Sequence, residues 1–403
     1  MPIRTHGVTL GSDPTGQTPA LCRGFFSEKS EFDLAVLALN GLRRGRTTGS
    51  CATAAVKAAL TLLLQGRRRD RVEVTLPDGL HYLWVPIQAV EFSTDGTVRA
   101  EVLKDGGDDP DNTHGATIFA EVRRNTTGQI RFFAGRGVGT ATQPGLRVAV
   151  GEPAINPVPR QMMRTAVAEV LDELGQEDCG FDLSIGCENG EVIARKTFNP
   201  RLGIVGGISI LGTSGIVEPM SLATWVASIE VYVRVALASE APCVAYLPGK
   251  IGREFARDVL ALPEARTVQI ANFLGDALSF TQTVLEEQGR MLDVLWLAGH
   301  PGKLAKVLDG VWDTHSSKSN MAMGGVARVA ADCGFSAAVV DEIRHSNTVE
   351  AAMERLKMED GAQDLWREIE RRIGALTHAR LPSVRRLEVR LFDLHGNLLG
   401  GAA

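Results

Sequence analysis

The chain has no CxxC pair and no HxxxH pair. Its six cysteines (Cys22, Cys51, Cys179, Cys187, Cys243 and Cys333) and eight histidines are scattered over 403 residues. Scattered thiols argue against a disulfide framework or a zinc site and fit reduced cysteines in a cytoplasmic protein. An excess of positive charge is lacking too. A formal net charge of −5 argues against nucleic-acid binding by bulk electrostatics and leaves room only for a local basic pocket. No apolar run is long enough and free enough of glycine to cross a bilayer, and the N-terminus lacks a secretory pattern, so no membrane role is expected. What is there, 44% hydrophobic and 23% charged residues, is an ordinary globular composition with length enough for two domains.

The organising stretch is residues 197–221, TFNPRLGIVGGISILGTSGIVEPMS. Gly203, Gly206, Gly207, Gly212 and Gly215 interrupt an aliphatic run, so the segment reads as buried, with backbone amides that need partners from protein or ligand. Two readings stand side by side: a packed crossover, or a wall that orients a ligand with Asn199, Arg201, Ser209 and Thr213.

Around it the chain divides into three. Residues 1–40 read as an N-terminal extension with a short amphipathic stretch near 32–39. Residues 41–150 read as an α+β domain. Here the helix 52–65 is capped by Thr47, Thr48 or Ser50 and closed by Gly66, and its free amides beside Arg43, Arg44 and Arg46 form a candidate anion site. Alternating segments at 72–76, 80–87 and 97–103, and a hairpin of 116–123 with 129–134, predict an antiparallel sheet. Residues 151–403 read as an α/β domain. A proline-stiffened connector at 151–160 is the candidate hinge, and a second hairpin is expected at 182–186 and 191–196. Three apolar strands (243–247, 267–272 and 292–298) each precede a glycine-bearing turn and a helix, which predicts a parallel, Rossmann-like sheet. Residues 319–378 read as helical, and 384–400 as a closing strand.

Two regions carry chemistry. The loop KDGGDDPDNTHG offers Asp105, Asp109 and His114 for acid/base work; its aspartates lack EF-hand spacing, so a ligand-orienting role is preferred to a metal. The turns after the parallel strands hold Gly249, Gly275, Gly299, His300, Gly302 and Lys303 at the edge where open α/β sheets bind nucleotide-like ligands. The amides following His300-Pro301-Gly302 are expected to receive a carboxylate. The fragment GRGVGT at 135–140 lacks the third glycine of a dinucleotide fingerprint.

With LRRGRTTGSCATAA, KDGGDDPDNTHG, GVGTATQPGLRVAVGEPAINPVPR, KTFNPRLGIVGGISILGTSGIVEPM and AGHPGKLAK in this order, the chain closely resembles the cobalt-precorrin-5B C(1)-methyltransferase (CbiD) family of the anaerobic cobalamin pathway. The resemblance runs from about Leu42 to Gly400. Arg136 is a mild departure, since an acidic or small residue is expected there. The resemblance implies S-adenosylmethionine (SAM) as methyl donor, C-1 of a cobalt tetrapyrrole as acceptor and cobalt-precorrin-6A as product. The cobalt is then carried by the substrate, with no protein-bound metal. A flat macrocycle fringed with carboxylates asks for an apolar wall and a basic rim. Arg43, Arg46, Lys104, Arg160 and Arg201 are candidates for the rim, with Thr48, Asn199, Ser209 and Thr213 as further substrate contacts. Methyl transfer needs alignment more than a nucleophilic side chain, and the sulfonium charge disappears as the methyl leaves, so an apolar pocket favours the transition state. Two rivals remain: a small-molecule phosphotransferase, which would need a Walker lysine, and a non-catalytic tetrapyrrole carrier. SAM binding separates the enzyme from both. Self-association is left open.

Overall fold

The computed structural model describes residues 29–176, 179–238, 240–315 and 322–401. The first core forms around helix α1 (Thr48–Gln65), buried from Thr48 through Leu62. Small residues on every side (Gly49, Ser50, Ala52, Ala54, Ala55, Ala58) let neighbouring elements close on it all round, as a core helix requires. Thr47 caps its start by accepting from the Ser50 N–H, and Gly66 ends it at φ 65°. Helix α2 (Pro157–Leu174) packs against α1.

These helices share one core with a five-stranded sheet, and its strand order departs from the sequence expectation. Thr117–Asn125 and Ile130–Ala134 do not pair as a hairpin. Gly180–Cys187 lies between them, antiparallel to the first and parallel to the second. The expected partner strand at 191–196 is instead a short helix, Gly190–Ala194. Val98–Leu103 and Ala89–Phe92 complete the sheet. Arg71–Thr75 and His81–Pro86 form a separate hairpin, extended by Ser30–Glu31.

Because α2 and Gly180–Cys187 belong to this core, residues 151–160 lie inside it and are not a hinge, and a boundary at 150 would cut it. Core side chains run from Cys51 to Ile210, and those of the next core begin at Ile229. At the other end, Lys29 is tied to Glu169 (2.6 Å), so part of the expected extension is built into the fold. Residues 1–28 lie outside the described residues. No helix forms near 32–39.

The second core surrounds a four-stranded, fully parallel sheet in the order Thr267–Gln269, Cys243–Leu247, Leu292–Gly299, Val384–Leu391. One face packs on helices Leu222–Leu237, Leu274–Glu287 and the C-terminal helices, and a smaller cluster with Phe255 and Phe392 lies against the other. Coverage of both faces is the usual condition of parallel strands. The helix expected at 251–262 is reduced to a turn and a π-helical segment at Phe255–Val259, and the last strand stops at Leu391.

Candidate active site

Three segments meet at the start of α1. Gly45–Arg46 pairs with Ile216–Val217, and the aspartate loop 104–115 interlocks with residues 43–46. A Cβ on Gly45 would stand 2.1 Å from the Gly106 carbonyl carbon, and one on Gly107 2.3 Å from the Arg43 oxygen. Only glycine allows such backbone proximity. The aspartates then separate by task. Asp108 accepts from the Arg43 backbone N–H (2.7 Å) and Nε (3.2 Å), which hold its carboxyl below the usual range. Asp109 Oδ1 accepts from the Met220 N–H (2.8 Å), fixing a residue at φ 55°, a conformation that costs energy for a side chain other than glycine. Asp111 Oδ2 accepts from Lys104 Nζ at 2.6 Å. Among the described residues no group of three His, Cys, Asp or Glu side chains converges as a metal site.

Asp105 and His114 remain together at the surface. Asp105 Oδ1 accepts from the Gly107 N–H (3.0 Å) and lies 3.9 Å from His114 Nδ1, while Oδ2 faces Arg43 at 3.8 Å. The Gly106 N–H donates to His114 Nδ1 (3.1 Å), so in the neutral ring the proton sits on Nε2. Arg46 donates to the Trp84 carbonyl (3.2 Å), and its Nε is buried with no hydrogen-bond partner. An unpartnered buried donor is rare and calls for an explanation.

The other expected substrate contacts are not gathered here. Thr48 donates to the Leu211 carbonyl (3.1 Å) and accepts from its N–H (2.9 Å); the Gly49 N–H also donates to that carbonyl (3.0 Å), and Ser50 Oγ donates to the Gly215 carbonyl. The polar start of α1 is thus filled by the chain itself and is not an open anion site. Lys104 is 1% exposed and spent on Asp111. Asn199 and Ser209 are buried and bonded to each other (3.3 Å), with Asn199 Nδ2 donating to the Gly207 carbonyl (3.1 Å). Gly207 and Gly190 crowd the Gly137 carbonyl so closely that a Cβ on either would come within 2.0 Å. Much of the glycine-rich stretch is therefore a packed crossover. Its exposed residues include Leu211, Thr213 and Met220, with Phe198, Val205, Ser214 and Glu218. Arg160 binds Glu152 (3.0 Å) and the Ile155 carbonyl (2.8 Å). Arg201 lies between the two cores, 3.7 Å from Glu264. Burial pushes the Cys51 and Cys187 thiols up to about 12, so neither is a nucleophile near neutral pH.

The second cluster is the C-terminal edge of the parallel sheet. Its strand order has a switch point that the sequence could not reveal. The chain leaves Cys243–Leu247 toward one flank and Leu292–Gly299 toward the other, and these two strands are neighbours. Open α/β sheets bind ligands in the crevice such a reversal creates. The two turns touch there: a Cβ on Gly299 would lie 2.9 Å from Pro248 Cγ, whereas one on Gly249 meets nothing within 4 Å. Lys303 Nζ bridges the Pro248 (2.9 Å) and Ala271 (3.3 Å) carbonyls, so it holds the turns together. Gly275 backs onto Trp312. The amides after His300 are already occupied: Gly302 N–H by His300 Nδ1 (3.1 Å), and Lys303 and Leu304 N–H by the His300 carbonyl. A carboxylate at that helix start is thereby excluded. His300 Nε2 is buried without a hydrogen bond, 3.5 Å from Glu350, and burial lowers the ring's pKa.

Helix Leu222–Leu237 links the clusters. It leads through a short connection into strand Cys243–Leu247, so its start and the strands' C-terminal ends point the same way. That start follows Met220 directly, and Leu222 and Trp225 on its first turn are exposed. Sequence reading passed over Met220, Asp111 and these apolar side chains. The only local sign was a glycine-poor run, EPMSLATW, ending a glycine-rich one.

No helix among the described residues is long and apolar enough to cross a membrane. The CbiD family matches residues 37–219, and the CbiD C-terminal domain matches residues 313–403. A cobalt-precorrin-5B C(1)-methyltransferase of Chromobacterium violaceum is 61% identical over 93% of this chain and 99% of that protein. The enzyme of the same name from Ralstonia nicotianae is 63% identical, over 93% and 98%. A crystal structure of a cobalamin biosynthesis protein (cbiD) from Archaeoglobus fulgidus is 27% identical, covering 70% of this chain and 86% of that one, with a TM-score of 0.37. Such identity over nearly the full length of both proteins means that the chain belongs to the CbiD family, the cobalt-precorrin-5B C(1)-methyltransferases.

Proposed function

We propose that the chain transfers a methyl group from SAM to C-1 of cobalt-precorrin-5B, giving cobalt-precorrin-6A, as a biosynthetic enzyme of the cytoplasm. The near-complete match to methyltransferases of that name carries the reaction. The two cores then act as two domains divided near residue 220. The first seats the macrocycle and the second seats the donor.

SAM supplies a methyl on a sulfonium, and its adenosine and carboxylate suit a switch-point crevice. Gly249 leaves that crevice open, Lys303 fixes its rim, and the Nε2–H of neutral His300 is a donor with no hydrogen bond of its own. On the first core, Leu211, Thr213 and Met220 offer the exposed wall, and Arg43 and the Nε of Arg46 offer donors to a substrate carboxylate. When C-1 gains a methyl cation equivalent, the macrocycle must release one positive charge. Asp105 is placed to take that proton, with the Nε2–H of His114 orienting the ring substituents beside it.

Equilibrium SAM binding distinguishes this reading from a tetrapyrrole carrier or a phosphotransferase, neither of which needs the donor. Calorimetry on wild type should give a saturable isotherm with SAM and none with ATP. Gly249→Phe fills open space without a backbone conflict, so thermal stability should hold while SAM affinity falls by at least about tenfold, or 1.4 kcal/mol. Unchanged affinity in a folded Gly249→Phe protein would remove the donor from this edge.

A further inference from the structure

We infer that the groove between residues 147–152 and the start of α2 receives the carboxylate side chains of the macrocycle, an inference that rests on the function proposed above. The groove encloses about 750 Å³ and is lined by Arg147, Arg160 and Arg164 with a single carboxylate, Glu152, among them. The three guanidiniums are not equally engaged. Arg160 is held by Glu152 and by the Pro153 and Ile155 carbonyls. Among the described residues Arg147 reaches only a distant partner, Glu230 at 3.8 Å. Arg164 has no hydrogen bond or ion pair among the described residues, and its guanidinium lies 4.9 Å from the Phe132 ring centroid. Arg160 lies over the same ring at 5.3 Å. Stacking on an aromatic face holds a guanidinium plane while leaving its N–H edge available.

An array of planar forks with one counter-charge suits several carboxylates spaced along a rim, since each guanidinium binds a carboxylate in two parallel hydrogen bonds. Val148, Ala149, Pro157 and Val158 between them give an apolar floor for a ring edge. The start of the 18-residue α2 adds a modest positive potential. Position supports the same ligand. Pro159 packs on Gly49 at the start of α1 (2.9 Å to a built Cβ), where Thr48 and Gly49 hold the Leu211 carbonyl. The first turn of α2, which lines the groove, is thus fixed on its buried side to the segment that carries exposed Leu211 and Thr213. The carboxylates would anchor in the groove and the macrocycle would extend from it toward that segment.

The test is a fluorescence titration of the full chain, without methyl donor, with a porphyrin bearing eight carboxylates and with its neutral octa-amide. Arg147→Ala and Arg164→Ala alter exposed side chains, and circular dichroism checks that each variant is folded. Each should weaken the octacarboxylate by about tenfold and leave the octa-amide unaffected. Raised salt should narrow the difference from wild type. In turnover, the same variants should raise the KM for cobalt-precorrin-5B by a similar factor with kcat held. Equal octacarboxylate affinity in wild type and the Arg147→Ala/Arg164→Ala double variant would overturn the assignment, as would failure of wild type to bind the octacarboxylate. Because the titration contains no donor, it reads the groove whether or not methyl transfer occurs.

Discussion

Asp111→Asn is expected to cost about 3–5 kcal/mol of folding stability, because it leaves the Lys104 ammonium buried without its counter-charge. Lys104 is 1% exposed and its Nζ is 2.6 Å from Asp111 Oδ2. The Thr113 N–H and hydroxyl also donate to Asp111 (2.8 Å), so the pair pins the whole 104–115 loop. Lys104→Met/Asp111→Asn should recover part of the loss, since the penalty belongs to the stranded charge. Urea denaturation of the three proteins measures this, and a loss under about 1 kcal/mol in Asp111→Asn would show that the pair does not hold the loop. The effect has a pH signature. Burial alone would raise the Asp111 pKa, but the charge and hydrogen bond of Lys104, with those from Thr113, outweigh it and hold the carboxyl below its ordinary value. A folded pKa below the unfolded one, about 3.9 for aspartate, gives stability that is complete above that value and is lost as pH falls through the folded pKa. Wild type should show this acid loss and Asp111→Asn should lack its share of it.

Asp105→Asn is expected to lower kcat by about 10²–10⁴-fold, the range for removing a positioned general base. The substitution is nearly isosteric, and the amide oxygen can still accept the Gly107 N–H, so the loop should keep its shape. SAM affinity should not change, because the proposed donor edge lies on the other core. The KM for the macrocycle should move only a few-fold, which distinguishes a lost proton acceptor from a collapsed site. A fall in kcat of less than about tenfold would reduce Asp105 to a cap for the Gly107 amide. His114→Gln should have a smaller effect, since glutamine can still present a donor N–H.

How much of this was legible in the sequence depends on whether the signal is local. The end of α1 at Gly66 was, because that glycine acts on its own neighbours; its start was only approximate, since Thr47 was one of three candidate caps and the helix begins at Thr48 rather than at 52. The apolar strands at 243–247 and 292–299 were also visible, but their neighbour order was not, and the switch point exists only in that order. The insertion of Gly180–Cys187 between Thr117–Asn125 and Ile130–Ala134 had no local signal. Two alternating segments joined by Asn-Thr-Thr-Gly look like a hairpin whatever later inserts between them. Asn189-Gly190 imitated a hairpin turn, yet only Asn189 takes positive φ, at 55°, and Gly190 enters a helix against the Gly137 carbonyl. At the site, residue type misled where burial decided. Lys104, Asn199 and Ser209 are polar residues on glycine-rich segments, and each is spent on an internal partner. Asp105, Asp109 and His114 were singled out from composition, and the fold parts Asp109 from the other two by giving its carboxylate to the Met220 N–H.

Methyl transfer itself is tested most directly by incubating the purified chain with cobalt-precorrin-5B and ¹³C-methyl SAM in a chelating buffer, followed by mass spectrometry and carbon NMR of the corrinoid. The expected result is one labelled methyl per macrocycle, bonded to C-1, formed at the same rate with and without chelator. A corrinoid recovered unlabelled, or labelled at another carbon, would contradict the proposed function. Activity that vanished on chelation and returned with a divalent ion would contradict the reading of the aspartate loop as an acid/base and structural element without metal.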